Sequence, residues 1–305
     1  LLLKRNEDFK DVPFLGPNPL FTTVLLESQK EILKHRIEER SVDFIDEPDP
    51  SLWPALSKND YRILPKINTD IVVLMLQRDN FFLQDRDLID AIRALLQDGR
   101  LLQTSYFQYG RLGNQFAPPG VVGYDPELKI PPFEAKPDET ISAFKERLQV
   151  GEVPLKLHYP EQERSLALVI EEELEYAGLT ILPIAIPQKT FQQHLLRKLP
   201  DLTLLPVQFE LGDIGPFLDT FIDSNSPYTN GYSNKTVDDL IEQSRRELRV
   251  SERVKLLRQL MQMIAVDDPP GIPVLFKRSF VAQKNEAADS WLMNWVKHQL
   301  RSWAL

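Results

Sequence analysis

Cysteine is absent from all 305 residues. That rules out disulfides, thiolate metal sites and a cysteine nucleophile, and it is compatible with an extracytoplasmic protein. No apolar run reaches the roughly 18 residues that a membrane-spanning helix needs. Basic charge is not concentrated anywhere. There are 36 Lys and Arg against 45 Asp and Glu, a net charge of -9, and the most basic stretch, Arg245 to Arg258, is interleaved with glutamate. A phosphate backbone is held by a clustered cationic face, so nucleic acid is not expected as a partner. The chain has no phosphate loop, no Gly-x-Gly-x-x-Gly, no Gly-x-Ser-x-Gly and no His-Glu-x-x-His. Its four histidines, His35, His158, His194 and His298, are isolated and lack metal-ligand spacing. Carboxylates are plentiful, but nothing selects an acid/base pair among them. The expectation is a non-enzyme with no cofactor and no metal site. Internal repeats and low-complexity tracts are also missing.

What remains has the composition of a globular protein, 42% hydrophobic and 27% charged. The length allows two ordinary domains or one large one. The chain opens on Leu1-Leu2-Leu3, without initiator Met, charged leader or lipobox cysteine. This suggests that the N-terminal part of a longer protein is missing, and any targeting signal with it.

Residues 1–10 read as a strand running into a loop, and 20–27 as a second strand. Residues 28–40 form a helix with Ile32, Leu33 and Ile37 on one face. A strand over 41–45 precedes an acidic, Pro-rich loop at 47–54. Asp43, Asp46, Glu47 and Asp49 lack the glycine and terminal glutamate of a calcium loop. The run Ile71 to Leu76 predicts a central strand buried on both faces. A helix follows over 85–96, then a long Gly-, Pro- and aromatic-rich loop over 104–133.

The clearest pattern is βαβαβ. Val153, Leu155 and Leu157 alternate in a strand. Leu166, Val169, Ile170, Leu174 and Ala177 form a helical stripe closed by Gly178, and a second strand covers 179–186. A short helix over 191–198 leads to a third strand over 202–208. Thr236 with Asp239 is expected to open a helix carrying Val237, Leu240, Ile241 and Leu248. Ser251 with Glu252 is expected to open another, carrying Val254, Leu257, Met261 and Ile264. A strand covers 272–276. Residues 289–305 form an amphipathic helix whose Trp291, Leu292, Trp295, Leu300 and Trp303 pack on protein rather than on a membrane surface.

The stretch LLPVQFELGDIGPFLDTFIDS, residues 204–224, runs from a buried strand through Gly212-Asp213, a Gly-Pro turn, an apolar segment and an acidic loop. Two helices and the strand GIPVLF follow. This order resembles the C-terminal lobe of the oligopeptide- and dipeptide-binding proteins of ABC importers, extracellular solute-binding protein family 5. SVDFI at 41–45, Asp85, Leu88 and Ala91, and APPGVVGYDPEL at 117–128 are similar to family elements. Departures are also present. Phe209-Glu210 stands for the family's Gly-Trp, Ile214 for a Tyr, Gly215-Pro216 for Asp-Pro, and Ile89 for an Arg.

The resemblance implies an α/β fold: a periplasmic-binding-protein-like (type II) lobe with a mixed sheet flanked by helices, plus a partial first lobe. The implied division is 1–65 as remnant of the first lobe, 66–276 as second lobe and 277–305 as return segment. It implies a receptor that captures a peptide or other small polar solute and passes it to permease subunits outside the cytoplasm. In peptide-binding members an Asp pairs with the ligand's α-ammonium; Asp213 matches it. Glu210, Phe209, Gln77 and Tyr228 complete the implied ligand-binding set. A solute-sensing or interaction module of a regulatory protein is the alternative, and a hydrolase would require a close pair of carboxylates in a pocket.

Overall fold

The computed structural model describes residues 2–4, 23–25, 30–46, 48–66, 69–98, 110–195, 200–209 and 212–285. Contacts divide the chain into two compact units, 1–67 with 279–305, and 68–278.

The first unit begins with β1 (Leu2–Lys4) and β2 (Thr23–Leu25), an antiparallel pair with Leu3 opposite Val24. Helix α1 (Lys30–Glu38) and β3 (Phe44–Asp46) follow as the apolar spacing indicates. The expected loop at 47–54 is shorter than that. A 3-10 turn over Pro50–Leu52 runs straight into α2 (Trp53–Lys58). Pro54 lies in the first helical turn, where its missing N–H costs nothing, so it starts the helix rather than breaking it. Strand β4 (Tyr61–Lys66), which the apolar pattern does not announce, ends this part.

The second unit is built on a six-stranded mixed sheet. In chain order its elements start with β5 (Asp70–Leu76), α3 (Arg86–Gln97), β6 (Gly110–Leu112) and α4 (Pro137–Leu148). Then come β7 (Pro154–Pro160), α5 (Arg164–Tyr176), β8 (Thr180–Ile186), α6 (Gln188–Leu195) and β9 (Leu202–Gln208). Next are α7 (Gly215–Phe217), continued as a π turn over Leu218–Ile222, and α8 (Lys235–Arg246). The last are α9 (Val250–Gln262), with a π turn over Met263–Asp267, and β10 (Gly271–Lys277). The strand order is β6-β10-β5-β9-β7-β8. β7 is parallel to β8 and β9, and the other neighbours are antiparallel. The βαβαβ unit read from the sequence is therefore present in one sheet.

β5 shows how a continuous apolar run makes a central strand. Side chains alternate across the sheet. Val72, Leu74 and Leu76 enter the core under α3, α4 and α5. Ile71, Val73 and Met75 enter the opposite core under α8, α9 and the 115–130 loop. Gly178 has φ +96° and ends α5 with the paired bonds Leu179 N–H to Leu174 O and Gly178 N–H to Glu175 O, which a left-handed residue permits.

Several expectations shift here. α4 was not foreseen, although Pro137 with Asp138 and Glu139 is a helix-start signature. The cap of α8 is Asn234, whose side chain accepts from Thr236 N–H and Val237 N–H, not Thr236 itself. α9 opens at Val250 without a side-chain cap. α8 stops at Arg246, so Leu248 leaves the apolar stripe and is 91% exposed. The tryptophan-rich segment 289–305 lies outside the described residues.

The chain returns to the first unit through β11 (Ser279–Lys284), which sits between β3 and β4 in a three-stranded antiparallel sheet. Ile37, Ile45, Leu56, Tyr61 and Ala282 form the core of this unit.

Candidate functional site

In an α/β sheet, ligands gather beyond the carboxyl ends of the parallel strands. In the second unit that side also holds the start of β5 and the end of β10, since Asp70 pairs with Gln208 and Ile71 with Phe276. The chain leaves β9 at Phe209, whose carbonyl accepts Thr69 Oγ1 at 3.2 Å. After a turn in which Gly212 has φ +62°, Asp213 forms a parallel bridge with Val122. Gly123 makes this close approach possible: at φ +110°, a Cβ there would lie 2.6 Å from the Ile214 side chain.

The Asp213 carboxylate is already engaged. Arg253 of α9 donates Nη1 to Oδ2 at 2.5 Å and Nη2 to Oδ1 at 2.9 Å, and Gly215 N–H donates to Oδ1 at 2.7 Å. The two side chains are about one quarter exposed, 25% for Asp213 and 26% for Arg253. Burial pushes the Asp213 carboxyl upward, but the bonds from Arg253 and Gly215 and the guanidinium charge outweigh it and hold it below its ordinary value. Arg253 also donates Nε to Ser244 O, tying α9 to α8 at this point.

The acidic loop that follows is closed in the same way. Arg245 of α8 donates Nε to Asp219 at 2.9 Å and Nη2 to Asp223 at 2.7 Å, while Asp223 Oδ1 also accepts from Asn225. Chemically, this leaves ion pairs rather than the close pair of free carboxyl groups that a hydrolase would use.

The other described residues suggested by the sequence lie as follows. Phe209 is buried and packs edge-on against Phe217, with centroids 6.1 Å apart, so it is core rather than an open wall. Gln77 follows the far end of β5. Its N–H donates to Asp201 O, and its Oε1 is buried without a hydrogen-bond partner. Tyr228 stacks edge-on with Phe221 and lines a narrow crevice with Met75, Leu195 and Thr203. At about 3.3 Å per residue, the length of β5 separates the Gln77 end from Gln208 by roughly 20 Å. Glu210 lies outside the described residues.

Two polar pairings were not legible in the sequence. Glu163, at the start of α5 and 1% exposed, accepts from Lys277 Nζ at 2.5 Å. His158 on β7 and His194 on α6 approach to 2.6 Å between Nδ1 and Nε2, although they are 36 residues apart. The strand alternation around Val153 to Leu157 turns His158 away from the leucine face, but no spacing signal joins it to His194. Among the described residues, no group of three or more His, Cys, Asp or Glu is arranged to hold a metal ion, and no helix is long and apolar enough to cross a membrane.

No protein-family model and no curated protein sequence matches the chain. Solved structures do match. A putative peptide binding protein, AppA from Clostridium difficile, superposes with a TM-score of 0.78 at 14% identity, covering 93% of this chain and 59% of that one. The oligopeptide-binding protein AppA from Bacillus subtilis, solved with a nonapeptide, gives 0.70 at 15% identity, covering 93% and 59%. The periplasmic binding protein DppA from Helicobacter pylori, solved with the peptide STSA, gives 0.73 at 16% identity, covering 93% and 56%. The chain has the fold of these proteins and spans somewhat more than half their length.

Proposed function

We propose that this chain belongs to a solute-binding protein of an ABC importer, acting without chemistry of its own. The observation that carries the reading is the likeness of fold, which extends over 93% of the chain and links it to structures solved with bound peptides. The two-unit division supports it. The chain passes between the units twice, at 67–68 and 278–279. In the proposed architecture 1–65 is a partial first lobe, 66–276 the second lobe and 277–305 the return segment. The two passages serve as the hinge on which the lobes close over a peptide or other small polar solute. The proposed partners are permease subunits, and the proposed location is outside the cytoplasm.

Asp213 is the proposed ligand contact in the second lobe, and Arg253 sets its terms. A ligand ammonium meets a carboxylate whose charge is already compensated, so it must share or displace the guanidinium. Recognition of a free amine is therefore weaker here than at an open carboxylate, and solutes carrying amide or hydroxyl groups compete on more equal terms. Gln77, at the other end of β5, is not part of this contact set.

The test is thermal melting of the protein as its host makes it, against peptides, sugars and metal chelates. One solute class should raise the melting temperature with a concentration dependence set by its affinity. A melting temperature unmoved by every class would overturn the reading.

A further inference from the structure

His158 and His194 bring two ring nitrogens together on the face of the sheet opposite the leucine core. Leu155, Leu157 and Tyr159 of β7 point into the core under α5, so His158 points the other way, toward α6. On α6, Phe191 and Leu195 are anchored in the second core, and this holds His194 over β7. The rings are tilted by 35° with centroids 4.8 Å apart. At 2.6 Å, one ring nitrogen donates its N–H to the bare nitrogen of the other.

We propose that His158 and His194 form a two-imidazole site for a borderline divalent cation such as Zn²⁺, Ni²⁺ or Cu²⁺. The cation takes the place of the shared proton, which passes through solvent to the other nitrogen of its own ring, so that both rings bind as neutral imidazoles. Metal–nitrogen bonds of about 2.0–2.1 Å at a near-right or tetrahedral angle need the nitrogens about 3 Å apart, a small opening for two side chains with free ring torsions.

The surroundings favour this assignment over a purely structural hydrogen bond. Thr203 is the register partner of His158 on β9, and its hydroxyl is buried with no hydrogen-bond partner, an unsatisfied oxygen next to the pair. Thr203 also lines one crevice with Leu195, the neighbour of His194 on α6. The Asp201 carboxylate is occupied, accepting from Asn80 Nδ2 and Lys156 N–H, and it contributes field rather than a ligand. Imidazole donors without carboxylate ligands select zinc, nickel and copper over magnesium and calcium. The inference does not depend on the transport reading.

The test is titration of the chain with CuCl₂ followed by electron paramagnetic resonance, alongside calorimetry with ZnCl₂. One copper site with hyperfine coupling to two nitrogens is expected. His158→Asn and His194→Gln should each lower affinity at least tenfold and remove the two-nitrogen pattern, while His35→Asn leaves both unchanged. His194→Gln serves as the second variant if His158→Asn does not fold. Circular dichroism confirms the fold of each. Copper bound equally well by wild type and by both variants, or no two-nitrogen site in wild type, would overturn the proposal.

Discussion

The segment around Asp213 and the contact between β7 and α6 both bring polar side chains together on the larger sheet, but they finish differently. Beyond β9 every described carboxylate of the 213–223 stretch meets an arginine from α8 or α9. Charges closed in this way hold backbone in place, and a newcomer must share or displace an arginine. Between β7 and α6 two imidazole rings share a proton, and a threonine hydroxyl nearby has no hydrogen-bond partner. The difference teaches that abundance of charge is a poor guide to availability in this protein: a ligand at the acidic stretch must share or displace an arginine, whereas the histidine pair is joined by a single shared proton in its mutual contact.

The comparison can be pressed hardest at Glu163. Lys277→Met removes the cation bonded to a carboxylate that is 1% exposed, and should lower stability by about 3–5 kcal/mol in urea unfolding. Glu163→Gln should cost clearly less, because it removes the buried charge. Equal costs would mean that the pair is open to solvent.

Arg253→Ala is the next largest. It removes a bidentate partner from Asp213 and should cost about 1.5–3 kcal/mol. It should also change the acid limb. The Asp213 carboxyl is lowered from its ordinary value of 3.8, so its contribution is present above that pH and is lost as pH falls through the folded value. The variant should lose less stability than wild type on acidification through this range.

His158 gives a separate pH signature. Its folded value, about 4, lies below the ordinary 6.5, so the unfolded chain takes up the proton first. Stability should fall as pH drops from about 6.5 to about 4, and His158→Asn should flatten that slope. A slope unchanged by the variant would assign it to other groups. Smaller again is Asn234→Ala, which removes the α8 cap and should cost about 1 kcal/mol. Smallest is Leu248→Ser, at an exposed position, which should change stability by no more than about 0.5 kcal/mol.

The central strand, the βαβαβ unit and the C-terminal order of helices and β10 were legible because their apolar periods are unbroken. α2, α4 and β4 were hidden by prolines that look like breakers. Pro54 and Pro137 sit in first helical turns, where proline is welcome, and Pro65 sits on β4, an edge strand of its sheet. Leu248 misled because it falls on the apolar spacing of α8 but lies past the end of the helix. In the candidate site, Asp213 could be located by its position after β9. Its partner Arg253, 40 residues on, could not, because local patterns carry no information about which helix terminus folds back over a turn. The same limit hid His194 from His158.

The account rests on the chain being part of a receptor that holds a solute. Native mass spectrometry of the protein taken directly from its host tests this most simply. The account predicts a small-molecule or peptide mass bound to the polypeptide and released on gentle activation, or acquired when a peptide mixture is added. Bare polypeptide in both experiments, from protein shown to be folded, would contradict it.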